Sequence, residues 1–240
     1  MCSTGIFVFS VVFISSAISK PPKPIVCDID DHRCLTEGAE RSFEEFIRGI
    51  PGGVPVDPLR LEYFEADLPT ISYKLIGASL TGMSDCKVEL VKIYSKENKY
   101  KYHVCCPHLI LQSKCELKGN IGPQYAEGKG STCRVDHYDY NFYFNGDTYR
   151  KVRPNNKIHL ELLTSNLEIE AKGRVVYEIK NLFNGNKEKT AAVQDFLNEH
   201  WQFADKLFRT TTMEAFMKKY IKHVNSYLSK VPMDDIFYQD

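Results

Sequence analysis

Neither sign of charge is in excess in this chain: Lys and Arg together number 31, and Asp and Glu together number 31. That balance removes the electrostatic reason for binding nucleic acid or an anionic membrane surface. Long apolar runs are missing too. The longest, Gly5 to Ile14, spans about ten residues, roughly half of what a bilayer-crossing helix needs. It suits the apolar segment of a secretory signal, with Ala17-Ile18-Ser19 at the cleavage positions. Residues 1–19 are therefore expected to be a signal peptide. Residues 20–240, with no internal repeat or low-complexity linker, are expected to form one secreted, extracellular domain without stable membrane anchoring.

Catalytic and metal-binding motifs are incomplete wherever they begin. Gly128-Lys129-Gly130-Ser131-Thr132 is no phosphate loop, because Gly rather than Ser or Thr follows the Lys and no Gly stands five residues before Gly128. Gly77-Ala78-Ser79-Leu80-Thr81-Gly82 lacks the Gly-x-Ser-x-Gly spacing of a nucleophile elbow. His103, Cys105, Cys106 and His108 are metal-ligating residue types. Adjacent cysteines, however, diverge on a strand and lack the two-to-four-residue gap of a zinc knuckle. His32, His137, His159, His200 and His223 are scattered, and no Asn-x-Ser/Thr acceptor occurs. No metal, no cofactor and no enzymatic activity are expected.

Cysteine is plentiful. Of the eight, seven lie beyond the signal, at Cys27, Cys34, Cys86, Cys105, Cys106, Cys115 and Cys133, and in an oxidising compartment most should pair. Cys27 and Cys34 are read as a disulfide, since their spacing is not that of a redox dithiol. Cys115 and Cys133 flank a hairpin centred near Gln124 and sit roughly opposite each other, where antiparallel Cα atoms approach to about 4.5 Å. Cys86 approaches Cys105 or Cys106 across a turn near Ser95–Lys99, and only one of the two can serve. The odd cysteine is either a free, inert thiol or a link between molecules, so the oligomeric state stays open.

Hydrophobic periodicity divides the chain in three. Acidic residues after Cys27 suit a helix start, and Phe43, Phe46, Ile47 and Ile50 make a helical stripe that Pro51-Gly52-Gly53 ends. From Val56 to about Ile179 the pattern is of seven or eight strands without βαβ alternation. A strand over 135–145 places Tyr138, Tyr140, Phe142 and Phe144 on one face and His137, Asp139 and Asn141 on the other. A strand over 167–179 turns Leu167, Ile169, Ala171, Val175, Tyr177 and Ile179 inward, and Leu160 and Leu162 extend that dry face. After Asn184-Gly185-Asn186 come about fifty residues of helical period. They include Val193, Phe196, Leu197 and Trp201, then Phe216 and Tyr220 beyond a break at Arg209-Thr210-Thr211-Thr212. A covered sheet face and a long apolar helix are natural partners.

At this point residues and order together resemble the insect takeout and juvenile-hormone-binding protein family. The resemblance rests on Cys27, Cys34 and Leu35, on Gly49-Ile50-Pro51, and on Val56-Asp57-Pro58-Leu59. Gly82-Met83-Ser84, Cys106-Pro107-His108-Leu109 and Gly128-x-Gly130 follow. Asn181-Leu182-Phe183-Asn184-Gly185 and Phe196-Leu197-Asn198-Glu199-His200-Trp201 complete it. It covers the chain beyond the signal. It implies an α+β fold: a highly curved antiparallel β-sheet wrapped around a long C-terminal α-helix, with a short N-terminal helix and a tunnel for a hydrophobic ligand. The same tubular lipid-binding arrangement occurs in bactericidal/permeability-increasing protein. Val104-Cys105-Cys106-Pro107 departs from the Pro-Phe-Pro-like stretch common in the family, Arg209–Thr212 stands where a Pro is frequent, and five of the cysteines are additional. These departures bear on the ligand more than on the fold.

The expected function is a secreted carrier of a small hydrophobic ligand: a juvenile-hormone-like terpenoid, a fatty acid or another lipid. Fourteen Phe and fourteen Tyr supply apolar walls with hydroxyl tips. The expected lining is Tyr138, Tyr140, Phe142, Phe144, Leu160, Ile169 and Tyr177 from strands, with Phe196, Trp201, Phe216 and Tyr220 from helix. The alternative is a structural or protein-interaction factor with the same fold and a filled interior.

Overall fold

The computed structural model describes residues 25–49 and 54–238. The expected signal peptide, Ile50 of the first stripe and the Pro51-Gly52-Gly53 stop lie outside the described residues. The first element is helix α1, His32–Arg48. The Asp31 carboxylate accepts from the backbone N–H of Arg33 (3.1 Å) and Cys34 (3.0 Å), satisfying donors that the first turn leaves open. Leu35, Phe43, Phe46 and Ile47 make its buried face, and Gly49, at φ 89°, ends it. The Cys27–Cys34 disulfide ties the preceding segment to it.

Seven strands follow: β1 Leu59–Asp67, β2 Ile71–Thr81, β3 Lys87–Tyr94, β4 Lys99–Ile121, β5 Gln124–Val152, β6 Ile158–Ala171 and β7 Val175–Lys180. Every pairing between them is antiparallel. The order is β1-β2-β4-β5-β6, with β3 also on β4 and β7 also on β5. The 23 residues of β4 and the 29 of β5 outrun any single neighbour. Residues 99–105 of β4 pair with β3 and residues 110–119 with β2. Residues 132–137 of β5 pair with β7 and residues 140–152 with β6.

The exchange of partners marks a waist. Asp139 has φ 52°, and the inward sequence of β5 jumps there from His137 to Tyr140. In β4 it jumps likewise from Cys106 to Leu109. Such bulges reverse which face each residue meets. Two expectations are corrected here. Tyr138 stands on the outer face, stacked on His108 at 4.4 Å, while His137 points inward and is buried. The strand expected over 167–179 is two strands, because Lys172-Gly173-Arg174 turns against the bulge. Lys172 N–H donates to the Asp139 carbonyl (2.9 Å) and Tyr138 N–H to the Arg174 carbonyl (3.0 Å). A Cβ on Gly173 would lie 2.5 Å from the Tyr138 carbonyl oxygen, so only glycine fits there.

Two helices close the fold, α2 Lys187–Glu199 and α3 Trp201–Leu228. The helical break falls at His200 (φ −109°, ψ 38°), and α3 runs unbroken through Arg209–Thr212, where the break was expected. Threonines are weak helix formers rather than breakers, and these are held. The Tyr73 hydroxyl of β2 is hydrogen-bonded to the side-chain oxygens of Thr211 and Thr212, at 2.7 Å each. Along α3, Ala204, Met213, Phe216, Met217 and Tyr220 are buried under the curved sheet.

Helix side chains also seal the sheet's edges. Asn198 of α2 accepts from Tyr177 N–H and donates to the Tyr177 carbonyl, both at 2.8 Å, on edge strand β7. Asn225 of α3 does the same to Leu162 on edge strand β6, again at 2.8 Å twice. Each amide replaces the missing neighbouring strand for one residue. Two motifs of the resemblance meet elsewhere. The Asp57 carboxylate accepts from the N–H of Gly82 (3.2 Å) and Ser84 (2.9 Å), joining Val56–Leu59 to Gly82–Ser84.

The disulfides Cys86–Cys106 and Cys115–Cys133 are formed as well. Cys115 lies opposite Ser131 and Cys133 opposite Ser113, so that bridge runs diagonally across the hairpin. Cys105, the partner left out, is half-buried on the outer face, where burial and the nearby Glu89 raise its pKa and keep the thiol protonated. Replacing Asn225 by Ala should lower the unfolding free energy by about 1–3 kcal/mol, because two backbone groups of Leu162 lose their partner. A fall in the urea midpoint at unchanged m value reads it out.

Candidate ligand-binding site

Two cavities with no lining residue in common lie between the sheet and the helices. The larger, about 180 Å³, is at the α1 end. Its walls are Leu35, Ala39, Phe43 and Phe46 of α1, Val91 and Ile93 of β3, and Tyr100 and Tyr102 of β4. Leu160 and Leu162 of β6 and Val224, Tyr227 and Leu228 of α3 complete them. Cys27, Ile236 and Phe237 also line it, and there Cys27 N–H donates to the Ile236 carbonyl (3.0 Å) and Tyr238 N–H to the Cys27 carbonyl (2.9 Å). The few polar atoms are engaged within the wall. The Tyr100 hydroxyl is bonded to Thr164 (2.6 Å), Tyr102 to Tyr220 (2.5 Å) and Tyr227 to Ser42.

The smaller cavity, about 70 Å³, lies at the α2 end beneath β2, the second half of β4, the first half of β5 and β7. Its surface is apolar almost throughout, although His137, Asp205, Arg209 and Thr212 are among its wall residues. Asp205 accepts from the Tyr140 hydroxyl and pairs with Arg209 at 3.4 Å. Burial raises the Asp205 pKa against the pull of these two partners. Burial likewise lowers the His137 pKa to about 3, although Asp136 opposes it, so the ring is neutral at neutral pH. A third concavity, about 670 Å³, is an open dish on the outer surface with Lys114, Arg134, Glu178 and Lys180 at its rim.

Between the two cavities the interior is solid. Tyr140, Phe142 and Phe144 of β5 and Phe216 and Tyr220 of α3 are buried to within 1% and line neither space. Tyr102, Phe144 and Tyr220 stack with centroids 5.6–6.3 Å apart. The residues expected to line one tunnel are thus distributed. Leu160 lines the larger cavity and Tyr177 the smaller, and five form the wall between them. Ile169, Phe196 and Trp201 are half-buried at the flank of the core, and Tyr138 is outside. The residues of α1 and of the 236–237 segment were not foreseen as lining. The signal for α1 was its Phe43/Phe46/Ile47 stripe, an apolar face with no partner on its own helix.

The residues weighed as zinc ligands are committed elsewhere. His103 Nε2 is 2.8 Å from the Asn141 side chain, His108 Nε2 is 2.9 Å from Asp136, and Cys106 is in a disulfide. Among the described residues no helix is long and apolar enough to cross a membrane.

The family model "Haemolymph juvenile hormone binding protein (JHBP)" matches residues 6–238. The chain belongs to that family. "Circadian clock-controlled protein daywake" of Drosophila melanogaster is 22% identical over 231 residues, covering 90% of this chain and 88% of its own. The crystal structure of Epiphyas postvittana Takeout 1 superposes with a TM-score of 0.83 at 23% identity, over 89% of this chain and 99% of that one. At that identity the superposition establishes a shared fold. In this JHBP-family member, the curved antiparallel sheet, the short N-terminal helix and the long C-terminal helix are therefore those of Takeout 1.

Burial of His137 has a consequence for stability in acid. The folded protein keeps the ring neutral down to about pH 3, whereas the unfolded chain takes up a proton near 6.5. Between those values the unfolded state binds more protons, so stability present above 6.5 is lost as pH falls, by up to about 1.4 kcal/mol per pH unit. The charges that act on the ring are those of Asp136, which opposes the shift, and His108, while Asp205 and Arg209 of α3 belong to the same cavity wall. Urea unfolding from pH 7 to pH 4 should show that extra slope in the wild type and its absence in His137→Leu. Parallel curves would contradict the assignment.

Proposed function

We propose that the chain is a secreted carrier that holds one small hydrophobic molecule in the larger cavity. The observation that carries this reading is the partly open apolar space of about 180 Å³ whose tyrosine hydroxyls already have partners. A volume of that size offers about a dozen heavy-atom positions. Membership of the JHBP family supports the class of ligand: a juvenile-hormone-like terpenoid, a fatty acid or another lipid. Three disulfides support an oxidising, extracellular location.

Burying roughly 400 Å² of ligand at about 25 cal/mol/Å² yields a gross term near 10 kcal/mol. The loss of free translation and rotation reduces it, to an affinity between about micromolar and nanomolar. With its hydroxyls engaged in the wall, this cavity selects by length and shape. Leu160 contributes contact surface, while Tyr102, backed by Phe144 and Tyr220, acts as the end wall that sets how long a ligand can be. No chemical step is part of this reading. The filled-interior alternative draws on one observation, the solid aromatic block in the middle. It requires that the purified protein hold no lipid.

Organic-solvent extraction followed by mass spectrometry should recover a bound apolar molecule. Ala39→Trp projects a large ring into the cavity from α1. It should weaken binding of an apolar fluorescent probe by at least about tenfold, with a melting temperature within about 5 °C of wild type. An empty extract together with no probe binding by the wild type would end the carrier reading.

A further inference from the structure

We propose that Asn184 is a site of spontaneous covalent modification, where the side-chain amide is lost and an aspartyl or isoaspartyl residue remains just before α2. This goes beyond the carrier reading and does not depend on it. The tripeptide Phe-Asn-Gly occurs twice, as Phe144-Asn145-Gly146 in β5 and as Phe183-Asn184-Gly185 in the turn ahead of α2. In each, the residue after Asn has no side chain to shield its backbone nitrogen. Identical neighbours give the two asparagines the same intrinsic reactivity, so their surroundings decide between them.

The step needs only water. The Gly185 nitrogen attacks Cγ of Asn184, a nitrogen–carbon bond forms, and the bond from Cγ to the side-chain nitrogen breaks. That nitrogen leaves as ammonia, taking the Gly185 amide proton, and a five-membered imide remains. Water then opens the imide at either carbonyl. One opening restores the ordinary backbone with an Asp side chain, and the other routes the backbone through the side chain. One water is consumed and one ammonia released. Ring closure requires that the bond between Asn Cα and its carbonyl turn, and that the glycine N–H leave its partner.

In β5 that rotation is blocked. Asn145 lies between Lys101 of β4 and Asn166 of β6, and Gly146 between Tyr100 and Thr164. Gly146 is buried, and a Cβ there would stand 1.9 Å from the Leu163 carbonyl oxygen. The other copy is open. Asn184 and Gly185 are both exposed, and a Cβ on Gly185 would meet nothing within 4 Å. A single hydrogen bond, to the Leu182 carbonyl (2.9 Å), holds the Gly185 N–H. Asn184 itself stands at φ 55°, and its neighbour Phe183 at φ 51°, in a region that residues with side chains rarely occupy. Such an exposed turn opens at a much smaller free-energy cost than a central strand. The run also ties α2 to the sheet, because Ser131 Oγ donates to the Asn181 carbonyl and Thr190 Oγ1 to the Leu182 carbonyl, both at 3.2 Å. Conversion therefore places a new negative charge, and in the isoaspartyl form an extra backbone methylene, at that joint.

The test incubates the full chain, folded and in urea, in mildly alkaline buffer and follows both asparagines by tryptic peptide mass spectrometry. Cleavage after Lys180 and Lys187 isolates residues 181–187, and cleavage after Arg134 and Arg150 isolates residues 135–150. Fragment ions assign the altered residue in each. In the folded chain Asn184 should convert at least about tenfold faster than Asn145. In urea the two rates should agree within about twofold, since the local sequence is shared. Asn184→Gln, which could close only a six-membered ring, should remove the acidic band that the folded wild type accumulates on isoelectric focusing. Equal rates in the folded chain, faster conversion of Asn145, or an unaltered Asn184 while the urea sample converts would each overturn the proposal. So would the same acidic band in the variant. Should the variant fail to fold, the ratio of the two folded-state rates decides. Absence of lipid from the larger cavity would leave this result untouched, so the two readings fail separately.

Discussion

The pairing of β4 with β5 is the constraint from which the rest of the molecule follows. At about 3.3 Å per residue, strands of 23 and 29 residues are far longer than a compact sheet uses. Twist accumulates along such a ribbon until it coils, and its dry face then surrounds a space rather than covering a plane. Helices α2 and α3, 13 and 28 residues at about 1.5 Å each, provide a rod of comparable reach. Because no other strand is as long, each of the two takes one set of neighbours at one end and another set at the other. Edges result on both flanks. Asn198 and Asn225 close two of them with side-chain amides, so the rod is joined to the sheet by hydrogen bonds as well as by apolar contact.

Where space remains inside is decided by side-chain size along the rod. At the waist, Tyr140, Phe142, Phe144, Phe216 and Tyr220 converge and fill the section completely. Toward α1 the contributors include Gly38, Ala39 and Ser42, which leave a gap that Phe43 and Phe46 roof over. Toward α2 the gap is smaller, and the imidazole and ion pair in its wall show it almost no polar surface. The two ends of one coiled sheet therefore differ in the size of the gap, while both gaps are bounded mainly by apolar surface.

Much of this was legible in the chain. Alternation through Tyr140, Phe142 and Phe144 announces a dry strand face, and the helical steps from Val193 to Tyr220 announce its partner. The cysteine spacings foretell which hairpins cross-link, down to the fact that Cys105 and Cys106 cannot both bond. What periodicity could not show is where it resets. One residue with positive φ, Asp139, exchanges His137 for Tyr138, and although Asp tolerates that conformation better than most residues, it does so too rarely to mark a bulge by itself. The threonine run at 210–212 suggested a break because its propensity is poor, but hydrogen bonds from Tyr73 override a weak local preference. The allocation of aromatics to wall or partition depends on distances across the sheet, which no spacing along one strand contains. The role of α1 was hidden for the same reason: its stripe is visible, while what it faces is not.

The contact between Cys27 and the 236–238 segment bears on how the protein is made. Residues about two hundred positions apart in sequence meet in the wall of the larger cavity, and this contact cannot form until the chain has been synthesised past residue 238. Until then that part of the cavity wall is missing. An oily passenger present during synthesis has a wide doorway, and the finishing stitch shuts behind it.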